Sequence, residues 1–249
     1  MQFSKLWPES ATVEIGEHLS RLGLAARAGA ERPYTVVNFV ASVDGRATFR
    51  GRSGPLGDDG DKELFLALRR EADAVLVGTG TLRVERYGRM LKDPEARERR
   101  QRRGLAPEPL ACIVTRTGHV PLDIPLFAEP EARVVIFTAT ALDASAAAAD
   151  VEVVTLDPGE LTFATALHRL RNDYEIRALL CEGGPSVFGA LLHERVVDEL
   201  FLTVAPKLAG GGMNPSPTSG PELPQPVPMT LQSVLERDGS LFLRYAIAD

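Results

Sequence analysis

The sequence predicts an α/β fold in which a mixed, mostly parallel central sheet is flanked by helices and completed by a C-terminal antiparallel β-hairpin. Short apolar runs typical of buried strands alternate with amphipathic helical segments along most of the chain, which is the pattern of a parallel sheet. Glycine-rich turns follow two of these runs, at Gly78–Thr81 and at Gly183–Gly184. Asp238-Gly239 separates the last two β-patterned runs, and this dipeptide is a strong hairpin signal.

The composition is that of an ordinary globular protein. The chain has 249 residues, of which 44% are hydrophobic and 25% are charged, enough to bury a sizeable core without disulfides or metals. The net charge of −6 makes nucleic-acid binding a poor expectation. The basic stretch Lys92–Arg103 also lacks the aromatic residues that stack on bases, so we interpret it as a solvated helix or loop.

The cysteines and histidines indicate neither disulfide nor metal chemistry. Cys112 and Cys181 each lie in an apolar run and are expected to be buried, reduced thiols. The four histidines show no metal-ligand spacing, so we predict no metal. The N-terminus lacks an apolar signal core and no apolar stretch is long enough to span a bilayer, which predicts a cytoplasmic protein without membrane contact.

Residues 1–32 are predicted to be an irregular N-terminal extension with one amphipathic segment near Ile15–Ala28, packed on a main domain at residues 33–249. In that domain short apolar or β-rich runs predict strands at Tyr34–Val40, Ala74–Val77, Leu110–Thr115, Val134–Thr138, Val151–Leu156, Ala178–Leu180, Leu200–Val204, Thr230–Arg237 and Leu241–Ala248. Apolar spacing or alanine content predicts helices at Asp61–Asp73, Ala144–Ala149, Phe163–Leu170 and Val187–Leu192. Residues 209–228, rich in glycine and proline, are predicted to be a long loop.

Ligands of such sheets bind beyond the carboxyl ends of the strands. The predicted strands end at Ala41–Asp44, Gly78–Thr81, Thr115–Thr117, Thr138 and Glu182–Ser186, and these segments form the predicted site.

The turn at Cys181–Ser186 is the most informative of these segments. Gly183 and Gly184 let a ligand approach the backbone closely, and Pro185 suits the first position of the following helix. The helix N-terminus favours a phosphate, whereas the adjacent Glu182 carboxylate favours a second, non-phosphate ligand. The turn therefore predicts a phosphate-bearing cofactor beside a polar substrate.

Two further segments indicate a nucleotide. Gly78–Arg83 is a partial dinucleotide fingerprint in which Arg83 stands in place of the third glycine, and a plain tight turn is the alternative. Thr115, Arg116 and Thr117 offer two hydroxyls and a guanidinium, a set that suits the 2′-phosphate of a dinucleotide unless Arg116 is only a surface residue.

Three carboxylates near strand ends, Asp44, Glu85 and Glu182, could orient a heterocycle or move a proton. For Asp44-Gly45 a simple turn is about equally expected.

Four segments in register resemble the riboflavin-pathway pyrimidine reductases. They are Val37–Arg46, Ala72–Thr81, Glu182–Ser186, and Val197–Leu200 followed by Ala205–Lys207, and the resemblance extends over roughly residues 33–247. The family implies a dihydrofolate-reductase-like fold, an NADPH cofactor and a homodimer, for which the C-terminal hairpin offers a shared edge. It also implies reduction of the ribose of a phosphoribosylaminopyrimidine to ribitol.

The resemblance, taken with the turns above, assigns residues to each ligand. NADPH contacts are predicted at Ala41, Pro55, Gly80, Thr81, Glu85, Thr115, Arg116, Thr117, Gly183, Gly184, Pro185, Ser186 and Val187. Substrate contacts are predicted at Ser53, Arg69 and Glu182, with Ser53 and Arg69 at the sugar phosphate. Glu182 and Asp44 are the candidate catalytic residues.

Two departures from the family pattern affect the function. Bacterial bifunctional members carry a zinc deaminase domain before the reductase, and this chain shows the reductase part alone. Many members also have an acidic pair and then proline after Thr81, whereas here the run is Leu82–Gly88, with Glu85 at the second acidic position. The leading hypothesis is NADPH-dependent reduction of 5-amino-6-(5-phosphoribosylamino)uracil. The alternatives are a dihydrofolate or pterin reductase on the same fold and a non-catalytic nucleotide-binding regulator.

Overall fold

Strands and helices alternate as predicted in the computed structural model, which describes residues 1–248. The strands are β1 (Gln2–Trp7), β2 (Ala11–Glu14), β3 (Tyr34–Ser42), β4 (Ala74–Val77), β5 (Leu110–Thr115), β6 (Arg133–Thr138), β7 (Asp150–Thr155), β8 (Ala178–Gly183), β9 (Glu199–Ala205), β10 (Met229–Arg237) and β11 (Ser240–Ile247). The helices are α1 (Ile15–Ser20), α2 (Asp59–Glu71), α3 (Thr79–Glu85), α4 (Pro94–Arg102), α5 (Phe163–Asp173) and α6 (Pro185–His193). Short 3₁₀ turns lie at Leu24–Arg27 and Pro125–Ala128.

The chain divides into two compact units. The first unit comprises Met1–Gly23, Thr35–Leu68 and the chain from Gly183 onward. Its strands lie in the order β2-β1-β10-β11-β9-β3. β3 and β9 are parallel, and every other pairing in this unit is antiparallel. The predicted combination of parallel strands with antiparallel strands toward one edge is therefore confirmed.

The second unit comprises Leu24–Tyr34 and Arg69–Glu182. Its strands lie in the order β8-β4-β5-β6-β7, and the pairs β4–β5, β5–β6 and β6–β7 are parallel. β4 and β8 are buried along their whole length, because an apolar run without alternation suits a strand covered on both faces. The carboxyl ends of β4 to β7 therefore meet at one edge of this unit.

Two local predictions about the hairpin and the cysteines are confirmed. Asp238 and Gly239 connect β10 to β11 with φ of 50° and 84°, the left-handed conformation that a tight hairpin needs. Cys112 in β5 and Cys181 in β8 are both buried, and neither forms a disulfide. Burial raises the pKa of the Cys112 thiol well above its usual range.

The prediction that residues 1–32 are irregular is wrong for their first half. β1 and β2 form an antiparallel pair, and β1 continues the sheet against β10. That pairing joins residues more than two hundred positions apart, so no local pattern announces it. The assignment of residues 33–249 as a separate domain stays a prediction.

The helix predicted for the alanine run Ala144–Ala149 is absent, and the run forms turns. The backbone N–H groups of Ala148 and Ala149 both donate to the carbonyl oxygen of Phe127, at 2.9 and 3.1 Å. These tertiary hydrogen bonds satisfy the groups that a helix would use, and they outweigh the high helix propensity of alanine.

The basic stretch Lys92–Arg103 forms helix α4, but it is not solvated throughout. Arg100 is 1% exposed and donates to the carbonyl oxygens of Arg69, Arg70 and Ala72 at 2.7 to 3.2 Å. These are the last carbonyls of α2 and the residues that follow, so a buried guanidinium caps that helix end. Burial lowers the pKa of Arg100 to about 10, which keeps it charged at neutral pH.

Candidate active site

A buried ion pair joins two of the predicted substrate residues in the second unit. Arg69, near the end of α2, donates to Glu182, near the end of β8, from Nε to Oε1 at 2.6 Å and from Nη2 to Oε2 at 2.7 Å. The side chains are 8% and 2% exposed. This bidentate arrangement fixes the plane of the carboxylate as well as its position.

Tyr87 completes this group, which we call the Glu182 cluster (Arg69, Tyr87 and Glu182). Its hydroxyl donates to Glu182 Oε2 at 2.8 Å, and its ring lies 5.2 Å from the Arg69 guanidinium carbon. Burial first, and then the Glu182 charge, raise the pKa of Tyr87 well above its usual range. Burial alone would lower the pKa of Arg69, but the Glu182 carboxylate outweighs it and raises the value. Arg69 therefore stays charged and Tyr87 stays a hydrogen-bond donor.

Sequence reasoning selected Arg69 and Glu182 but missed that they bind each other, and it missed Tyr87. The signal for Tyr87 was its place in Leu82–Gly88, the run that departs from the family pattern. Arg69 Nη1 donates in addition to the Met90 carbonyl oxygen at 2.8 Å. The predicted contact of Arg69 with a sugar phosphate stays a prediction.

The predicted nucleotide segments of the second unit share the edge formed by the strand ends. α3 follows β4 directly, and Thr115 of β5 lies beside Thr138 of β6 in the parallel register. A side chain added at Gly80 would meet nothing within 4 Å, so the space beside the first turn of α3 is open. Thr115 is buried, whereas Arg116 and Thr117 are exposed. Five predicted NADPH residues, Gly80, Thr81, Thr115, Arg116 and Thr117, lie at or just beyond this edge, whereas Glu85 is the last residue of α3.

A second turn, at residues 138–140, lies beside the end of the Thr115–Thr117 segment. Only the first residue of this turn, Thr138, was identified from the sequence. Gly118 has a φ of 66°, and a Cβ there would lie 2.5 Å from Thr140 Oγ1. The Thr140 N–H donates to Thr138 Oγ1 at 3.2 Å. Glycine at 118 is thus required both by its backbone conformation and by the close approach of the 138–140 turn.

The glycine turn ends β8 and begins α6, as the sequence predicted. Gly183 has a φ of 50°, in the left-handed region that favours glycine, and the Gly183–Gly184 peptide is cis. Gly184 is the N-cap of α6 without a side-chain cap, and Pro185 occupies the first turn. Ser186 is exposed. The long loop approaches this helix, because Ser219 donates its N–H to the Pro185 carbonyl oxygen at 3.1 Å.

Asp44, predicted as a catalytic residue, contacts the long loop in the first unit. Its carboxylate accepts hydrogen bonds from Ser42 Oγ at 2.5 Å and from the N–H groups of Ala209 and Gly210 at 3.0 and 2.8 Å. These bonds, with that of Ser42 the largest, lower the pKa of Asp44 to about 2. A carboxylate that is ionised throughout the neutral range has no proton to give. The geometry favours a role in holding the loop, and the catalytic role stays a prediction.

Lys207 holds the segment that contains the predicted residues Ser53 and Pro55. Its ammonium group donates to the carbonyl oxygens of Pro55, Leu56 and Gly57 at 3.0, 2.7 and 3.1 Å. The Leu56 N–H donates to the Ser53 carbonyl oxygen at 2.9 Å, which closes the turn. Lys207 was quoted in a family motif without a role, and the structure supplies one.

The predicted residues thus belong to two units. The second unit contains Arg69, Gly80, Thr81, Glu85, Thr115, Arg116, Thr117 and Glu182. The first unit contains Ala41, Asp44, Ser53, Pro55, Gly183, Gly184, Pro185, Ser186 and Val187. Ala41 is buried within β3, and Pro55 is exposed.

The model of the family described as the RibD C-terminal domain matches residues 33–243. The chain belongs to this family. The match includes both glycine turns, the whole Glu182 cluster and Lys207.

Two relatives of this RibD C-terminal domain chain differ in how much of their length it covers. This chain is 29% identical over 194 residues to the 2,5-diamino-6-ribosylamino-4(3H)-pyrimidinone 5′-phosphate reductase of Archaeoglobus fulgidus. The match covers 76% of this chain and 87% of that protein. The chain is 28% identical over 188 residues to the riboflavin biosynthesis protein RibD of Aquifex aeolicus, covering 74% of this chain but 49% of that protein. The chain therefore spans about half the length of that RibD protein and most of the archaeal reductase.

Solved structures show the same fold. A pyrimidine reductase-like protein of Corynebacterium diphtheriae superposes with a TM-score of 0.76 at 24% identity, over 95% of this chain and all of that one. The riboflavin biosynthesis reductase Rib7 of Saccharomyces cerevisiae gives a TM-score of 0.68 at 17% identity, over 94% of this chain and all of that one. These likenesses concern the fold, because their identities are low.

Two features are absent from residues 1–248. No described helix is both long enough and apolar enough to cross a membrane. Within the same residues, no group of three or more histidine, cysteine, aspartate or glutamate side chains is arranged to hold a metal ion.

Proposed function

We propose that this protein is an NADPH-dependent oxidoreductase of riboflavin biosynthesis that reduces 5-amino-6-(5-phosphoribosylamino)uracil to the ribitylamino product. The observation that carries the proposal is the Glu182 cluster, a buried carboxylate oriented by Arg69 and Tyr87 immediately before the Gly183-Gly184 turn. A residue suited to a polar substrate is thus followed directly in the chain by a turn suited to a phosphate, and this supports the proposal. A relative is named as a ribosylaminopyrimidinone 5′-phosphate reductase. The relatives named above give no support to the pterin reductase or to the non-catalytic alternative.

The residues present fit a dinucleotide phosphate. In the second unit, the open space at Gly80 allows close approach to the backbone, and Thr115–Thr117 offers hydroxyls and an exposed guanidinium. In the first unit, the nine-residue helix α6 begins at a glycine without a side-chain cap, so its first turn suits an anion. A bound nicotinamide would supply the hydride, and the protein would supply alignment and exclusion of water.

Within this proposal the Glu182 cluster orients the substrate. Glu182 accepts three hydrogen bonds from Arg69 and Tyr87, so its carboxylate is fixed before any ligand arrives. A fixed acceptor can select the amino and ring N–H groups of a pyrimidine, because it needs no reorganisation on binding.

The test is a comparison of substrates in an NADPH oxidation assay, with the product identified by mass spectrometry. The substrates are 5-amino-6-(5-phosphoribosylamino)uracil, the 2,5-diaminopyrimidinone phosphate as a second pyrimidine, and dihydrofolate. We expect turnover of 5-amino-6-(5-phosphoribosylamino)uracil to exceed that of dihydrofolate. NADPH binding without turnover of either pyrimidine would contradict the proposed function. If only the diaminopyrimidinone is reduced, the protein is still a pyrimidine reductase. Its substrate is then the pyrimidine that has not yet been deaminated.

Arg116→Ala is expected to weaken NADPH binding by about 1.5–3 kcal/mol, the worth of a charged hydrogen bond. That loss is roughly ten- to a hundredfold in Kd. NADH lacks the 2′-phosphate, so its affinity should change little. Calorimetric titration of both cofactors measures the difference. Arg133→Ala, at the exposed amino end of β6, removes the same charge as a control. Equal losses for NADPH and NADH would show that Arg116 does not bind the 2′-phosphate.

A homodimer and a cytoplasmic location remain part of this proposal. The family resemblance supports the homodimer.

A further inference from the structure

We propose that Glu108 is a positioning residue for the Glu182 cluster and acts through the backbone of Met90. This inference rests on the proposed function, because it assigns the cluster a task in substrate binding. The residues concerned all lie in the second unit.

Glu108 holds the backbone of residues 90 and 91 from one side. Its Oε2 accepts hydrogen bonds from the Met90 N–H at 3.0 Å and from the Leu91 N–H at 3.5 Å. Its Oε1 accepts from Arg89 Nε at 2.6 Å. The Glu108 side chain is 8% exposed, so water competes little for these contacts.

Met90 connects Glu108 to the cluster. Its N–H donates to Glu108, while its carbonyl oxygen accepts from Arg69 Nη1 at 2.8 Å. The residue is itself buried, at 2% exposure. Loss of the Glu108 contact therefore releases the backbone at Met90. The Met90 carbonyl oxygen, which accepts from Arg69 Nη1, then moves with it.

A second contact ties the same stretch of chain to Arg69. Arg100 donates to the carbonyl oxygens of Arg69 and of Ala106, two residues before Glu108. The segment from α4 to β5 thus fixes the Arg69 backbone through Arg100 and the Arg69 side chain through Glu108 and Met90. Because Arg69 in turn fixes Glu182 by two bonds, displacement at residue 108 is transmitted to a carboxylate that Glu108 does not touch.

Two conservative variants separate positioning from charge. Glu108→Gln keeps an oxygen that accepts from the Met90 N–H, while its NH₂ group faces Arg89, so the Arg89 contact is lost together with the charge. Glu108→Asp keeps the charge but withdraws it by one methylene. Glu131 is the matched control, because it pairs with the same two arginines, Arg89 and Arg97, from an exposed position.

We expect Glu108→Asp to lower kcat/KM for the pyrimidine roughly ten- to a hundredfold, mainly through KM, the scale on which a small misplacement of a positioned group acts. Glu108→Gln should lose less activity than Glu108→Asp, because it keeps the Met90 contact. Glu131→Asp, at an exposed surface pair, should stay within about threefold of wild type. Hydrogen exchange of the Arg69 Nε–H, followed by NMR in the complete chain, should be accelerated at least about tenfold in Glu108→Asp alone.

The exchange measurement decides the inference independently of catalysis. Unchanged Arg69 exchange in Glu108→Asp, or a larger effect of Glu108→Gln than of Glu108→Asp, would overturn the positioning role. A wild-type protein that reduces no pyrimidine would overturn the proposed function, while the exchange rates would still report whether Glu108 positions Arg69.

Discussion

Glu182→Gln is expected to lower kcat/KM for the pyrimidine by roughly ten- to a thousandfold, the range for losing a charged contact or a proton-transfer group. NADPH affinity should remain nearly unchanged. The amide cannot accept both Arg69 bonds, since one of its two positions is now an NH₂ group that faces a donor. The carboxylate plane is then no longer fixed, and the substrate loses its oriented acceptor.

The same change should also lower the free energy of unfolding, because it removes an acceptor from a buried guanidinium. Breaking a buried pair by removing one partner costs about 3–5 kcal/mol, and the isosteric amide should cost less. Stability therefore has to be measured beside activity.

The first unit offers a matched control for this experiment. Glu199 is 0% exposed and accepts from Arg244 through both oxygens, at 2.8 and 2.5 Å, in the same bidentate geometry. Glu199→Gln should lower stability comparably while the folded protein keeps its kcat/KM. Melting temperature, NADPH affinity and turnover measured on both variants distinguish the two roles. Equal activity losses for the two variants, or full activity of Glu182→Gln, would refute a substrate role for Glu182.

Gly189→Ala should destabilise the protein, although alanine is normally the better helix former. Gly189 lies inside α6, and a Cβ there would stand 2.2 Å from the Ser219 carbonyl oxygen, a backbone atom. The gain in helix propensity is about 0.5–1 kcal/mol. Overpacking costs about 1–3 kcal/mol, so the clash should dominate. We expect a net loss in denaturant unfolding.

Gly80→Ala is the control, because it is also a helical glycine but has open space at the Cβ position. Its stability should stay the same or rise by up to about 1 kcal/mol. If the long loop moves away from α6 instead of straining it, Gly189→Ala will keep its stability and will be cleaved faster by protease between residues 209 and 228. Unchanged stability together with unchanged cleavage would show that the contact between Gly189 and Ser219 is not close in solution.

The predictable parts of the fold are those with strong local patterns. β4, β5 and β8 are short apolar runs followed by glycine or threonine, and each begins where the sequence indicated. β1 depends instead on β10 at the other end of the chain, and the alanine run at 144–149 depends on the Phe127 carbonyl. Local propensity contains no information about such partners.

The candidate site shows the same division. Glycine turns and strand ends predicted a ligand near Glu182, Gly183 and Thr115. The structure has the turn and the strand ends where the sequence indicated them, and the ligand contacts stay predictions. The pairing of Arg69 with Glu182 joins residues 113 positions apart, and Tyr87 joins from a third segment. Side-chain partners of this kind follow from tertiary packing. Asp44 shows the limit of such a pattern, since an acidic residue at a strand end can bind backbone N–H groups as well as substrate. Its catalytic role stays a prediction.

The two cysteines allow opening of the second unit to be measured by thiol labelling. Thiol reagents attack the thiolate, and Cys112 and Cys181 are buried in central strands, with the pKa of Cys112 raised. Labelling therefore waits until β5 or β8 separates from its neighbours. The first unit contains no cysteine, so the labelling rate follows openings of one half of the molecule, without any engineered probe.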